Sequence, residues 1–192
     1  MTIIDISNPL GPVLKSEISD GVGGFNKLAG AQSVYVSGNY AYVAAATDSS
    51  LTIIDISNPL APVLKSEISD GVGGFNKLGG AKSVYVSGNY AYVAAATDNA
   101  LTIIDISNPL APVLKSEVYD GDGKFSRLAG IESVYVSGNY AYVSSSTDSS
   151  LTIMDISDPM NPVLKSEVYN GDGEFNKLGA PLSVFVLSLI HI

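Results

Sequence analysis

The chain has 192 residues, no cysteine and a single histidine, and its 19 acidic against 10 basic side chains leave a net charge of −9. Those numbers exclude a basic phosphate-binding face, so no nucleic-acid partner is expected, and they exclude disulfides and thiolate metal sites. With 46% hydrophobic and 15% charged residues the chain can bury a core, yet no apolar run approaches the roughly 20 residues of a membrane span.

Repetition dominates everything else. Leu51 to Pro59 returns as Leu101 to Pro109 and, slightly altered, as Leu151 to Pro159, while Met1 stands where those copies have Leu. Residues 1–50 and 51–100 differ at six positions in fifty. A period of this size marks solenoids, propellers or arrays, in which each unit buries its core only against its neighbours. One repeat domain over 1–186 is therefore expected. Met1 falls inside a repeat unit with no basic stretch before it, so no signal peptide is read here.

Residues 83–132 serve as the type unit. Ser83-Val84-Tyr85-Val86-Ser87 alternates and is rich in β-formers, which predicts a short first strand. Gly88-Asn89 suits a two-residue hairpin turn with positive φ. Tyr90 to Ala96 is the return strand, closing in small residues. Thr97-Asp98-Asn99-Ala100 has the chemistry of a turn. Leu101 to Ile106 is a third strand, apolar on both faces except at Asp105. Ser107 to Pro112 cannot continue a central strand, because each proline lacks a donor. Val113 to Tyr119 is a fourth strand with Lys115 and Glu117 on one face, charges that blunt an exposed edge. Asp120 to Glu132 is a long glycine-rich link.

Four antiparallel strands joined by tight turns and followed by a longer link make one propeller blade. The expected fold is all-β, a β-propeller-type array with its short apolar first strands near the axis. Period-2 patterning excludes a helical solenoid, and the Gly-Asn hairpin disfavours a parallel β-helix. Three complete blades are predicted at 33–69, 83–119 and 133–169, with a two-strand start and a one-strand end at 183–186.

Leu-Thr-Ile-Ile-Asp-Ile-Ser-Asn-Pro-Leu-Ala-Pro-Val, preceded by Val-Ser-Gly-Asn-Tyr-Ala-Tyr-Val-Ala, resembles the LVIVD repeat family of β-propeller proteins. The resemblance covers about three-quarters of each unit; the departure is the segment 70–82 and its equivalents, longer than the usual family link. It implies a propeller in a bacterial or archaeal surface or secreted protein, hence an extracellular or cell-surface location, and it transfers no catalytic residue.

After Val186 the repeat demands Ser-Gly-Asn-Tyr-Ala-Tyr-Val, but the chain reads Leu187-Ser188-Leu189-Ile190-His191-Ile192. Residues 187–192 thus read as a non-repeat tail from a truncation or join. A fragment with open blade edges, prone to self-association, is preferred to a ring of four closed by the tail.

The links before the first strand and the turns between second and third strands should share one face. That face gathers Asp20, Asp48, Asp70, Asp98, Asp120, Asp122, Asp148 and Asp172 with Lys27, Lys77, Arg127 and Lys177. As a group they are read as a ligand-binding surface for a protein or glycan, with Asp48, Asp70, Asp98, Asp120 and Asp148 as its candidate residues. Singly, each Asp beside a glycine is better explained as turn chemistry. Phe75 and Phe125 are candidate aromatic contacts within that surface, although with Leu78 and Leu128 they equally fit anchors of a long loop. Asp120, Asp122 and Asp172 resemble the start of a calcium loop, a weak signal because the first two copies read Asp-Gly-Val-Gly. Asp5, Asp55, Asp105 and Asp155 should accept hydrogen bonds from a turn or hydroxyl, and the pairs Tyr40/Tyr42, Tyr90/Tyr92 and Tyr140/Tyr142 are assigned to inter-blade packing in preference to an aromatic ladder for sugars.

Catalysis finds no footing. The one histidine is His191 in the tail, so neither a nucleophile–base pair nor a histidine metal site can be built, and carboxylates that recur in every repeat are poor candidates for a glycosidase pair. No cofactor beyond that weak calcium signal is expected. The function expected is non-enzymatic binding of a protein or glycan through the loop face, with a structural spacer or a calcium-stabilised surface module as alternatives.

Overall fold

The computed structural model describes residues 1–187 and holds no helix among them, so no helix there is long and apolar enough to cross a membrane. β1 (Thr2–Asp5) and β2 (Val13–Glu17) form a two-stranded sheet. Three four-stranded antiparallel meanders follow. The first is β3 (Ala31–Ser37), β4 (Tyr40–Ala45), β5 (Ser50–Asp55) and β6 (Val63–Ser69). The second is β7 (Ala81–Ser87), β8 (Tyr90–Ala95), β9 (Ala100–Asp105) and β10 (Val113–Tyr119). The third is β11 (Ile131–Ser137), β12 (Tyr140–Ser145), β13 (Ser150–Asp155) and β14 (Val163–Tyr169).

The three blades lie where the repeat puts them, each starting two residues earlier than the alternation predicts. The reason is a bulge. Ala81 pairs with Ala95 and Ser83 with Ala94, which leaves Lys82 without a partner, and Gln32 and Glu132 stand in the same place. A second bulge lies between third and fourth strands: Ile53 pairs with Ser66 and Ile54 with Leu64, so Lys65 is the extra residue. Bulges re-aim side chains out of the sheet's alternation.

Both faces of a blade are apolar because both are covered. Tyr42, Ala44, Leu51 and Ile53 of the first blade are buried in one cluster with Val84, Val86, Ala91 and Ile104 of the second. Tyr92, Leu101 and Ile103 meet Val134, Val136 and Met154 in the same way. Ile18 packs with Ala41, Val43 and Ile54, which seats β1 and β2 against the first blade. First strands lie side by side, Ser33 Oγ accepting the Val84 amide at 3.2 Å and Ser83 Oγ the Val134 amide at 3.4 Å.

At the C-terminal end the expected strand at 183–186 is not formed. Residues 181–187 join no ladder, although Phe185 packs edge-on against Tyr135 at 4.9 Å between ring centres. The Ser-Gly-Asn that turns each of the other first strands back is replaced here by Leu187-Ser188-Leu189, which lacks the glycine of the hairpin turn. The rest of the expected non-repeat tail, His191 included, lies outside the described residues.

Candidate functional site

The long links fold back between blades, and their apolar anchors are deep. Phe75 and Leu78 belong to the cluster between first and second blades, Phe125 and Leu128 to the next. With 7% and 2% of their surface exposed, the rings of Phe75 and Phe125 hold the loops down and show little of themselves to solvent. Phe175, in the last link, is half-exposed.

Carboxylates fasten the same loops from within. Asp20, Asp70 and Asp120 accept the amides of Leu28, Leu78 and Leu128 at 3.0, 3.0 and 3.1 Å. Asp48, Asp98 and Asp148, in the turns after the second strands, each accept a loop amide, from Ala29, Gly79 and Ala129, at 2.7 Å. The Thr52 hydroxyl donates to the Lys27 carbonyl at 2.8 Å, and Thr102 and Thr152 repeat the bond to Lys77 and Arg127. The five acids expected to meet a ligand do share a loop region, but each has one oxygen engaged by a backbone amide. Two of the cations gathered with them are also occupied: Lys77 Nζ lies 4.8 Å from the centre of the Tyr119 ring, and the Arg127 guanidinium 3.6 Å from that of Tyr169.

The residues suggested for calcium do not assemble a site. Asp122 Oδ1 accepts the amides of Lys124 and Phe125 at 2.8 and 3.0 Å, a turn closure, while Asp120 holds Leu128. Asp172 enters an isolated bridge with Phe175. Among the described residues no three acids or histidines come together in a geometry that could hold a metal ion.

The strand-end aspartates accept hydrogen bonds as expected and have a partner the sequence reading missed. Asp55 Oδ1 accepts the Ser57 amide at 2.9 Å and Asp55 Oδ2 lies 3.2 Å from Lys65 Nζ, the bulge residue turned back towards it. Asp5–Lys15, Asp105–Lys115 and Asp155–Lys165 repeat the pair at 3.2, 3.1 and 3.1 Å. Hydrogen bonds from Ser7, ahead of Lys15, hold Asp5 at about 2, and Ser157, ahead of Lys165, does the same for Asp155. Asp55 and Asp105 are lowered from the same cause. Tyr42 and Tyr92 are buried in the inter-blade clusters, the packing role assigned to them, and burial pushes Tyr92 up to about 12.

The LVIVD repeat model matches residues 1–20, 30–70, 78–120 and 131–170, well over half of the chain. The chain belongs to the LVIVD repeat family. No curated protein matches it in sequence. Among solved structures it is similar to the Cps50 β-propeller domain of Myceliophteria thermophila, at 14% identity and a TM-score of 0.64, covering 89% of this chain and 52% of that one. It is also similar to Kuenenia stuttgartiensis hydrazine synthase, at 16% identity and TM-score 0.60 over 87% of this chain and 42% of that one. A periplasmic gluconolactonase of Pseudomonas aeruginosa matches at 13% and TM-score 0.60 over 72% and 39%. These likenesses are of fold, and the LVIVD chain spans about half of those chains or less.

Three features of this LVIVD chain escaped the sequence reading. Tyr35, Tyr85 and Tyr135 form a row along neighbouring first strands, ring centres 4.8 and 4.9 Å apart; burial and the flanking hydroxyls raise the Tyr85 phenol. Their signal was the recurring Val-Tyr-Val, in which valine and tyrosine must face opposite ways. The bulge residues Lys82 and Glu132 meet across two blades at 2.8 Å, and Ser146 donates to the same carboxylate at 2.9 Å. Finally, a hollow of ≈ 230 Å³ opens where one blade's link meets the proline turn of the next, lined by Ser66 to Ser69, Val72, Gly73, Phe75, Leu110 and Pro112. Leu110 stands in the recurrent Asn-Pro-Leu-Ala-Pro, an apolar side chain on a turn that has no core to enter.

Proposed function

We propose that this LVIVD chain is a non-enzymatic propeller module that binds a protein ligand through the rim where consecutive blades meet. The hollow between Val72 and Leu110 carries the reading. Both side chains stay mostly exposed, at 63% and 68%, on backbone fastened by the Asp70 and Asn108 hydrogen bonds. Large apolar groups held outward on a rigid frame mark contact surfaces. The repeat sets Val22 with Leu60, and Asp122 with Met160, in the corresponding positions, so a ligand that itself repeats would gain avidity. A glycan on the loop face is disfavoured because the carboxylates and phenylalanines it would use are engaged in holding the loops. The non-enzymatic reading rests on acids that recur from repeat to repeat, with no unique acid–base pair among the described residues, and the extracellular or cell-surface location rests on the family resemblance.

The test is a displayed peptide library selected on the wild-type chain, with hits remeasured on Val72→Ser/Leu110→Ser and on Asp48→Asn/Asp148→Asn. Rim binding predicts loss with the first variant and retention with the second. Loss only with the second restores the loop face. A library that yields no specific binder favours the other reading, a structural spacer, which the engaged loop carboxylates support.

A further inference from the structure

We infer that Tyr85 is the hub of an oxidative cross-linking site, at which a peroxide-class oxidant joins its ring covalently to that of Tyr35 or of Tyr135. The site is separate from the rim and lies on the first strands of three consecutive blades. Ser33 Oγ accepts the amide of Val84, and Ser83 Oγ that of Val134, each one residue before the tyrosine, so the register between strands is fixed where the rings meet. The ring centres of Tyr35 and Tyr135 stand 4.8 and 4.9 Å from that of Tyr85, at interplanar angles of 52° and 57°. Both tyrosine–tyrosine ring pairs among the described residues therefore include Tyr85. All three rings stay partly exposed, whereas Tyr42 and Tyr92 are buried and Tyr119 and Tyr169 are covered by cations.

Phenylalanine would pack in this row as well as tyrosine does; what tyrosine adds is the phenol. Burial and the flanking hydroxyls raise the Tyr85 phenol, so it is protonated at neutral pH and loses its proton to water together with the electron. Two phenols each give one O–H proton to water and one electron to the oxidant, whose O–O bond breaks as it is reduced. Spin on the resulting radicals lies partly on the ring carbons beside the oxygen. A C–C bond forms between one such carbon of each ring, and the hydrogens displaced there return to the phenol oxygens. Both rings are aromatic again, and the pair has lost two hydrogen atoms in all. Rings already held in contact couple within the chain faster than two chains collide. The chain has no cysteine, so no disulfide can clasp neighbouring blades; a bond between Tyr85 and either neighbour does so across fifty residues of sequence.

Brief photo-oxidation of the full chain at low concentration, with ruthenium tris(bipyridyl) and persulfate as the peroxide-class oxidant, tests this. The products are separated by size and mapped by mass spectrometry after proteolysis. The expected product is a monomer with the blue emission of dityrosine, a mass lower by two hydrogen atoms, and a link from Tyr85 to Tyr35 or Tyr135. Tyr85→Phe keeps the ring and its packing but should remove that link. Tyr35→Phe combined with Tyr135→Phe should remove it too, although Tyr85 itself is then intact. Tyr119→Phe, outside the row, should leave its yield unchanged. A chain that yields no dityrosine, links formed only between chains, links mapped to other tyrosines, or a Tyr85→Phe variant with the wild-type yield of cross-linked monomer overturns the inference.

Discussion

Gly80 and Gly88 both adopt positive φ, at +67° and +57°, but only one of them is crowded. A Cβ on Gly88 would meet nothing within 4 Å. A Cβ on Gly80 would lie 2.9 Å from the Thr97 backbone nitrogen, with the Thr97 hydroxyl nearer still. Gly88→Ala therefore carries only the cost of the left-handed conformation, about 1–2 kcal/mol. Gly80→Ala carries that cost plus an overpacking cost of about 1–3 kcal/mol, because the contact is with backbone that cannot swing aside. It also displaces the Gly80 amide from Ser49 Oγ, a bond of 3.1 Å that links adjacent blades. The comparison is by thermal melts and urea denaturation, followed by tyrosine fluorescence and far-UV circular dichroism in a chain with 11 tyrosines and no tryptophan. Gly88→Ala should lower the melting temperature by about 2–8 °C, and Gly80→Ala by clearly more, with an unchanged denaturant slope in both. A Gly80→Ala variant no less stable than Gly88→Ala would refute the close approach of link and turn on which the loop geometry depends.

Acid should weaken the fold in a defined window. Asp5 and Asp155 are held at about 2, and Asp55 and Asp105 are also lowered, so the folded chain binds these protons less tightly than the unfolded one, whose aspartates titrate near ~3.9. Their stabilisation is complete above that value and is lost as pH falls from about 4 towards 2; denaturation midpoints at pH 5 and pH 3 should differ, and Asp55→Asn with Asp105→Asn should narrow the difference. The Lys82–Glu132 pair should couple across blades: Lys82→Glu alone destabilises, and adding Glu132→Lys restores most of the loss. The coupling should be about 0.2–1 kcal/mol, the range for partly exposed pairs, and a double-mutant cycle with no coupling counts against the contact.

Local chemistry made most of the fold legible. Gly38, Gly88 and Gly138 take the positive φ that the Gly-Asn hairpins required, and the third strands stop at Asp55 and Asp105, four residues short of Pro59 and Pro109, where the aspartate closes a turn. The bulges at Lys65 and Lys82 were not legible, because a bulge belongs to the register between two strands and neither strand announces it. The loop acids were placed in the right region but their direction was hidden. The amide that Asp70 accepts lies eight residues ahead in sequence, and the one that Asp98 accepts belongs to Gly79, in the preceding link. The exposure of Leu110 was equally hidden, since an apolar residue between two prolines looks like a buried one until the turn is seen to project.

Where the units differ bears on why they differ. Lys82 and Glu132 replace Gln32 and face each other, and Ser146, which replaces Ala46 and Ala96, donates to that same Glu132. Tyr119 and Tyr169 stand where Ser69 stands in the first blade, and each carries a cation of the link, Lys77 or Arg127. Asn99 replaces Ser49 and reaches the Gly130 amide at 2.8 Å, where Ser49 reaches that of Gly80 at 3.1 Å. Apart from the Ser146 bond, which lies within the third blade, these substitutions occupy contacts that join one blade or link to another. Near-identical neighbours can exchange strands or dock out of order, and pairs that match only one neighbour penalise the wrong order. Variation of this kind specifies which blade follows which, so blade-to-blade divergence in this chain points to assembly, whereas the apolar turn residues that stay exposed to solvent recur, Leu60, Leu110 and the matching Met160.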